Sequence, residues 1–168
     1  DGPLAQFEVV LECKLAFGFE SLTLVDQSAP AISEAAASTL DDPDIRLVFV
    51  HIPDPSTAGT SHGFESPEYG EAVLRADAAL ARIVDSLAED DLLVVTSDHG
   101  GGGAYGSHQH GSTADADMQI PLVLWGSRVV PTDLGEVSIL DVAPTVLWAL
   151  GFRPPSQYEG RALLGSFR

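Results

Sequence analysis

The 168-residue chain sets 25 acidic against 8 basic side chains, a formal net charge of -17, and 45% of its residues are apolar. Such a surface repels phosphate backbones and anionic bilayers at long range, so neither nucleic acid nor a lipid surface is an expected partner. The length suits one ordinary domain with its own core, and no apolar run approaches the roughly 20 residues needed to cross a bilayer.

Cys13 is the single cysteine, so no internal disulfide forms; its apolar surroundings suit packing, and the redox compartment stays open. Lys14 is the one lysine among the cations. No segment resembles a secretory leader. The chain opens on Asp1 rather than Met.

In chain order, Leu4 to Phe19 shows mixed apolar spacing and receives no assignment. Leu22-Thr23-Leu24-Val25 reads as a short strand. Ser28 then caps an Ala-rich helix over Pro30 to Leu40, with proline in its first turn, and Asp41-Asp42-Pro43-Asp44 stops it. Arg46 to Ile52 (RLVFVHI) is nearly continuous apolar sequence, the pattern of a strand covered on both faces in a parallel sheet. The segment after it, HIPDPSTAGTSHGFES, has the composition of an irregular functional loop.

Ser66, Pro67 and Glu68 open the clearest helix, which runs to about Ala88 with Tyr69, Val73, Ala76, Leu80, Ile83 and Leu87 as its apolar stripe. Leu92 to Thr96 is the next strand, and Ile120 to Trp125 another, ending at Gly126. A helix over Ile139 to Leu150 follows with Gly151 as its cap. Arg153 to Arg168 is a proline-bearing surface tail. Residues 1–168 thus read as a single α/β domain with a mostly parallel central sheet and helices on both faces.

Chemistry concentrates in Thr96 to Gly111, where an apolar strand ends in Asp98-His99 and a glycine-rich loop brings His108 and His110. All five histidines, His51, His62, His99, His108 and His110, fall between positions 51 and 110. Carboxylate and neutral imidazole are usual ligands of zinc and similar divalent ions. In α/β folds ligands gather outside the carboxyl ends of strands, so Asp54, His62, Asp98, His99, His108 and His110 are expected to converge on one crevice. His51, Trp125 and Trp148 fit core packing instead, while Asp77 and Arg128 fit solvated positions.

VFVHIPD, SPEYGEAVLRADAAL, VVTSDHGG, HGSTADADMQIPLVLWG and SILDVAPTVLWALG, in that order, resemble the later part of the alkaline phosphatase superfamily domain. The type I phosphodiesterase, nucleotide pyrophosphatase and sulfatase-like members are the nearest in pattern. The resemblance implies an α/β sandwich with two divalent ions about 4 Å apart, zinc first and manganese second, that hydrolyses small phosphate or sulfate esters. It implies that Asp98 and His99 hold one ion and His110 the other. Aligned on Gly59 and Gly63, two further ligand positions fall on Ser56 and Thr60, poor zinc ligands, with Asp54 and His62 as the neighbours able to replace them.

No stretch before Leu22 matches the family's first metal-binding Asp or its Ser or Thr nucleophile. The expectation is therefore an N-terminally incomplete domain, inactive as this isolated chain. The alternative is a non-catalytic descendant serving as a binding or structural module.

Overall fold

The computed structural model describes residues 28–168. The expected strand Leu22–Val25, the unassigned stretch Leu4–Phe19 and Cys13 lie outside the described residues.

Helix α1 spans Ala29–Leu40, one residue longer than its sequence pattern, with Ser28 in extended conformation before it and proline in its first turn. Ala29, Ser33 and Ala36 are its buried face. The segment expected to be an irregular loop is instead helical: α2 spans Asp54–His62. Proline in the first turn has a φ already suited to a helix, and Asp54 lies at the positive end of the helix dipole. Those two cues outweigh a composition that otherwise suggests a loop.

Helix α3, Pro67–Asp85, begins where expected, its Ser66 hydroxyl accepting the Tyr69 N–H at 3.1 Å. Its buried stripe differs from the expected one. Ala72, Ala79 and Ile83 face inward, while Val73 is 42% and Leu74 69% exposed. α3 packs against both α1 and α2, and a seam of alanines lets helix backbones approach where larger side chains would hold them apart.

The one sheet among the described residues pairs β1, Leu93–Thr96, with β2, Leu122–Trp125. The two strands are antiparallel, with Leu93 opposite Trp125 and Thr96 opposite Leu122, so the described residues contain no parallel pair of the mostly parallel sheet expected. Parallel neighbours need a crossover helix across the sheet face, whereas residues 97–121 form a loop whose one helix, α4, is the short Asp115–Met118. Arg46 to Ile52 forms no ladder with any described residue. An apolar run becomes a strand only through a hydrogen-bonding partner, and here Leu47 and Phe49 remain 51% and 76% exposed. His51, expected in the core, is exposed for the same reason.

The expected helix over Ile139 to Leu150 divides into a 3₁₀ turn, Ile139–Asp141, and α5, Val142–Ala149. Ser138 and Asp141 form a capping box at its start. Gly151 caps its end with φ +84°, the conformation a side chain resists.

The tail is tied down at several points. The Asp141 carboxylate accepts the Arg161 N–H at 2.8 Å, and the Thr145 hydroxyl, 1% exposed, accepts from Leu163 N–H at 3.0 Å. Phe167 bridges to Val129 and packs on Trp148 with ring centroids 4.9 Å apart. Trp125 and Trp148, expected in the core, are 47% and 39% exposed, because the outer faces of β2 and α5 meet no further layer among the described residues.

Buried apolar side chains are small: Ala29, Ala36, Ala58, Ala72 and Ala79, with Phe64 and Ile83 as the large ones. The described residues are thus α/β in character, with a thin core and open apolar faces. No helix among them is long and apolar enough to cross a membrane.

Candidate metal centre

β1 delivers Asp98 and His99 just past its end at Thr96, with only Ser97 between. The Asp98 side chain is 88% exposed and that of His99 29%. His99 Nδ1 lies 2.6 Å from the Gly100 carbonyl oxygen. A carbonyl only accepts, so Nδ1 carries a proton, and Nε2 is the nitrogen that a neutral ring offers to a ligand. That Nε2 is 3.7 Å from Asp98 Oδ2, a gap that two ligand bonds of about 2.0–2.2 Å to one divalent ion can span. The donor chemistry and the tautomer therefore fit a metal at this pair.

His110 comes from the far arm of the loop and stacks on His99, with ring centroids 3.9 Å apart and planes 14° from parallel. Phe64 buttresses the stack. Its ring meets His110 edge-on at 6.3 Å and Tyr69 at 5.5 Å, and its N–H donates to the Ser107 carbonyl at 2.8 Å. A Cβ on Gly101 would enter the Phe64 ring; glycine is needed there because the chain passes across an aromatic face.

The other sequence candidates lie elsewhere. Asp54 and His62 occupy opposite ends of α2, eight residues and about 12 Å of rise apart, too far to share one ion. Asp54 Oδ2 is 3.6 Å from Arg75 Nε, and its other oxygen is buried without a hydrogen-bond partner. Asp54, His62, Glu68, Glu71 and Arg75 line an open cleft of about 410 Å³.

Ser56 and Thr60 are exposed, and the Thr60 hydroxyl is turned back to the Ser56 carbonyl at 2.9 Å. His108 Nδ1 donates to the Thr60 carbonyl at 3.2 Å, tethering the histidine loop to α2. Asp77 and Arg128 are exposed, as their sequence context suggests. Among the described residues no three His, Cys, Asp or Glu side chains are grouped to hold a metal ion together. What is present is a two-donor pair with a third imidazole stacked against it.

Sequence reasoning missed Asp117, which is 2% exposed inside this loop. Its carboxylate accepts the Ser112 N–H at 2.7 Å and the Gly103 N–H at 3.0 Å. The hydrogen bond from the Ser112 hydroxyl, with those two N–H groups and the nearby His110, outweighs desolvation and lowers its pKa below the ordinary 3.8. No motif marks it: an acid in a Ser/Thr/Asp-rich turn reads as solvated.

The sign of its pH effect follows from the depressed pKa. The folded state binds this proton less tightly than the unfolded chain, so the contribution is whole above the unfolded value of about 3.9 and is lost as pH falls through the folded value. Thermal unfolding followed from about pH 5 to about pH 3 should therefore narrow the gap in Tm between the wild type and Asp117→Asn. A gap constant across that range would contradict this assignment. Using the difference between the two proteins cancels the relief of acidic self-repulsion that both experience.

The sequence model of the Metalloenzyme superfamily matches residues 8–154. Relatives are curated as 2,3-bisphosphoglycerate-independent phosphoglycerate mutases. The protein of Clostridium acetobutylicum is 26% identical over 141 residues, covering 82% of this chain and 27% of the relative. That of Rhodopirellula baltica is 31% identical over 143 residues, covering 83% and 26%. That of Gloeobacter violaceus is 26% identical over 152 residues, covering 83% and 28%. The chain therefore spans about a quarter of the length of the curated relatives it matches.

Proposed function

Because the chain belongs to the Metalloenzyme superfamily, whose members are alkaline phosphatase-like, we propose that it carries the histidine-loop portion of a metal-dependent enzyme acting on a small phosphate-bearing substrate. In this reading Asp98 and His99 hold one divalent ion and His110 contributes to a second. The observation that carries it is the Asp98–His99 pair: Nε2, the ring nitrogen not engaged by Gly100, lies 3.7 Å from a carboxylate oxygen.

The names of the relatives favour moving a phosphate group on a small phosphorylated acid over cleaving a phosphodiester or a sulfate ester. A bound divalent ion supplies the local positive charge that lets an anionic substrate approach a chain of net charge -17. The chain's own share is orientation. Gly100 sets the His99 tautomer, His99 stacks on the His110 ring, and Phe64 meets that ring edge-on. The same reading treats residues 1–168 as one portion of an α/β domain and makes β1–β2 part of a larger, mostly parallel sheet. The exposed apolar run at Leu47 and Phe49 supports that extension.

A second reading, a non-catalytic module of the same fold, draws on Ser56 and Thr60 at ligand positions and on Asp54 being engaged with Arg75. Calorimetric titration with zinc and with manganese separates the two. At least one equivalent should bind, with affinity falling by more than about 100-fold in His99→Ala, since even outer-shell changes cost 10–100-fold. A folded chain that binds neither ion would eliminate the enzyme reading in favour of the module.

A further inference from the structure

Two arms carry the stacked imidazoles. The first runs from His99 through Gly103, the second from His108 through Ser112, and α4 lies against both. On the first arm, Gly100 N–H donates to the Asp117 carbonyl at 2.8 Å and Gly101 N–H to the Ala116 carbonyl at 2.9 Å. Gly103 N–H then donates to Asp117 Oδ1 at 3.0 Å. On the second arm, Ser112 N–H donates to Asp117 Oδ2 at 2.7 Å, and the Ser112 hydroxyl oxygen accepts from Ala104 and Ala114 N–H at 3.1 and 3.2 Å. The Asp117 carboxylate thus bonds Gly103, four residues past His99, and Ser112, two past His110, while its backbone carbonyl takes the N–H next to His99.

We propose that Asp117 is a positioning residue for the histidine pair, its buried carboxylate clamping the two loop arms at the spacing that stacks His110 on His99. Only its relevance to metal binding rests on the function proposed above; the clamp itself does not.

The residue type is what such a clamp requires. An ionised carboxylate is acceptor-only on both oxygens and can serve an N–H donor on each side at once, whereas asparagine would aim an NH₂ at one of those donors. No Lys or Arg among the described residues pairs with Asp117, so its charge is balanced by oriented N–H and O–H groups belonging to the loop it organises. The fit is also close on the opposite side: a Cβ on Gly103 would lie 2.8 Å from the Asp117 carboxyl carbon. The chain therefore closes onto this carboxylate without an intervening side chain.

The test is NMR of the imidazole signals of His99 and His110, in the metal-free protein, for the wild type, Asp117→Asn and Thr145→Val. The last is a destabilised control whose change lies in the tail anchor. Separating the arms removes one ring from the face of the other, so Asp117→Asn should move both sets of ring signals and Thr145→Val neither. Zinc affinity, measured alongside, should fall about 10–100-fold in Asp117→Asn, the range expected for a group that orients a ligand.

Unchanged ring signals with only a lower Tm would reduce Asp117 to a structural residue and overturn the proposal. If Asp117→Asn does not fold, Ser112→Ala removes the hydroxyl from the same clamp. It should move the same signals, and unmoved signals would be equally decisive against the clamp. A wild type that takes up no zinc would count against the proposed function while leaving the ring signals to judge the clamp.

Discussion

Phe64→Ala is expected to cost about 3–5 kcal/mol in urea or thermal unfolding, the range for deleting a buried aromatic ring. Phe64 is 9% exposed and one of the two large apolar side chains in a buried set made mostly of alanine, so little else can refill its volume. Its ring lies against Gly59 of α2 and Gly101 of the histidine loop, touches Tyr69 of α3, and faces His110 edge-on. One truncation therefore loosens three segments and removes the ring that meets His110 edge-on. Phe64→Leu retains most of the volume and should recover most of the loss. A Phe64→Ala protein as stable as wild type would mean that the ring is not the joint described here.

Asp141→Ala is expected to be the next most damaging substitution. The carboxylate is 7% exposed and accepts Ser138 N–H at 3.1 Å on one oxygen and Arg161 N–H at 2.8 Å on the other. Removing it orphans two donors, each costing about 1–3 kcal/mol when water cannot replace the partner. The two losses differ in kind: the first unwinds the cap of the 3₁₀ turn before α5, and the second frees the tail. Equilibrium unfolding measures the sum, and the rate of tryptic cleavage after Arg161 isolates the tail. An unchanged unfolding midpoint together with an unchanged cleavage rate would refute this role.

The sequence was most legible where local rules decide the outcome. Ser66 with Pro67 and Glu68 fixed the start of α3, and Gly151 fixed the end of α5, because capping depends on a few adjacent residues. It was least legible where partners decide. Arg46 to Ile52 has the composition of a buried strand but no hydrogen-bonded neighbour among the described residues, and the direction of β2 depends on a loop whose path no periodicity encodes. Along the expected α3 stripe Ile83 is buried and Tyr69, Ala76, Leu80 and Leu87 are half-buried, whereas Val73 is exposed because close helix approach selects Ala72 and Ala79 over it.

In the candidate site, residue types marked Asp54, His62, Asp98, His99, His108 and His110, the family resemblance narrowed them to Asp98, His99 and His110, and the stacking of the two rings adds a relation that spacing could not give. Asp117 stayed hidden because its importance lies in the backbone donors it gathers. Those donors carry no signature in side-chain identity.

The apolar faces left open around Leu47, Phe49, Val123 and Trp125 make the behaviour of this chain in solution a colloidal question. Copies that met through those faces, open among the described residues, would bury hydrocarbon, and the -17 net charge opposes their approach. That protection has a range of about 10 Å at 0.1 M salt and about 3 Å at 1 M. Raising the ionic strength therefore weakens the one long-range force that opposes contact between these faces.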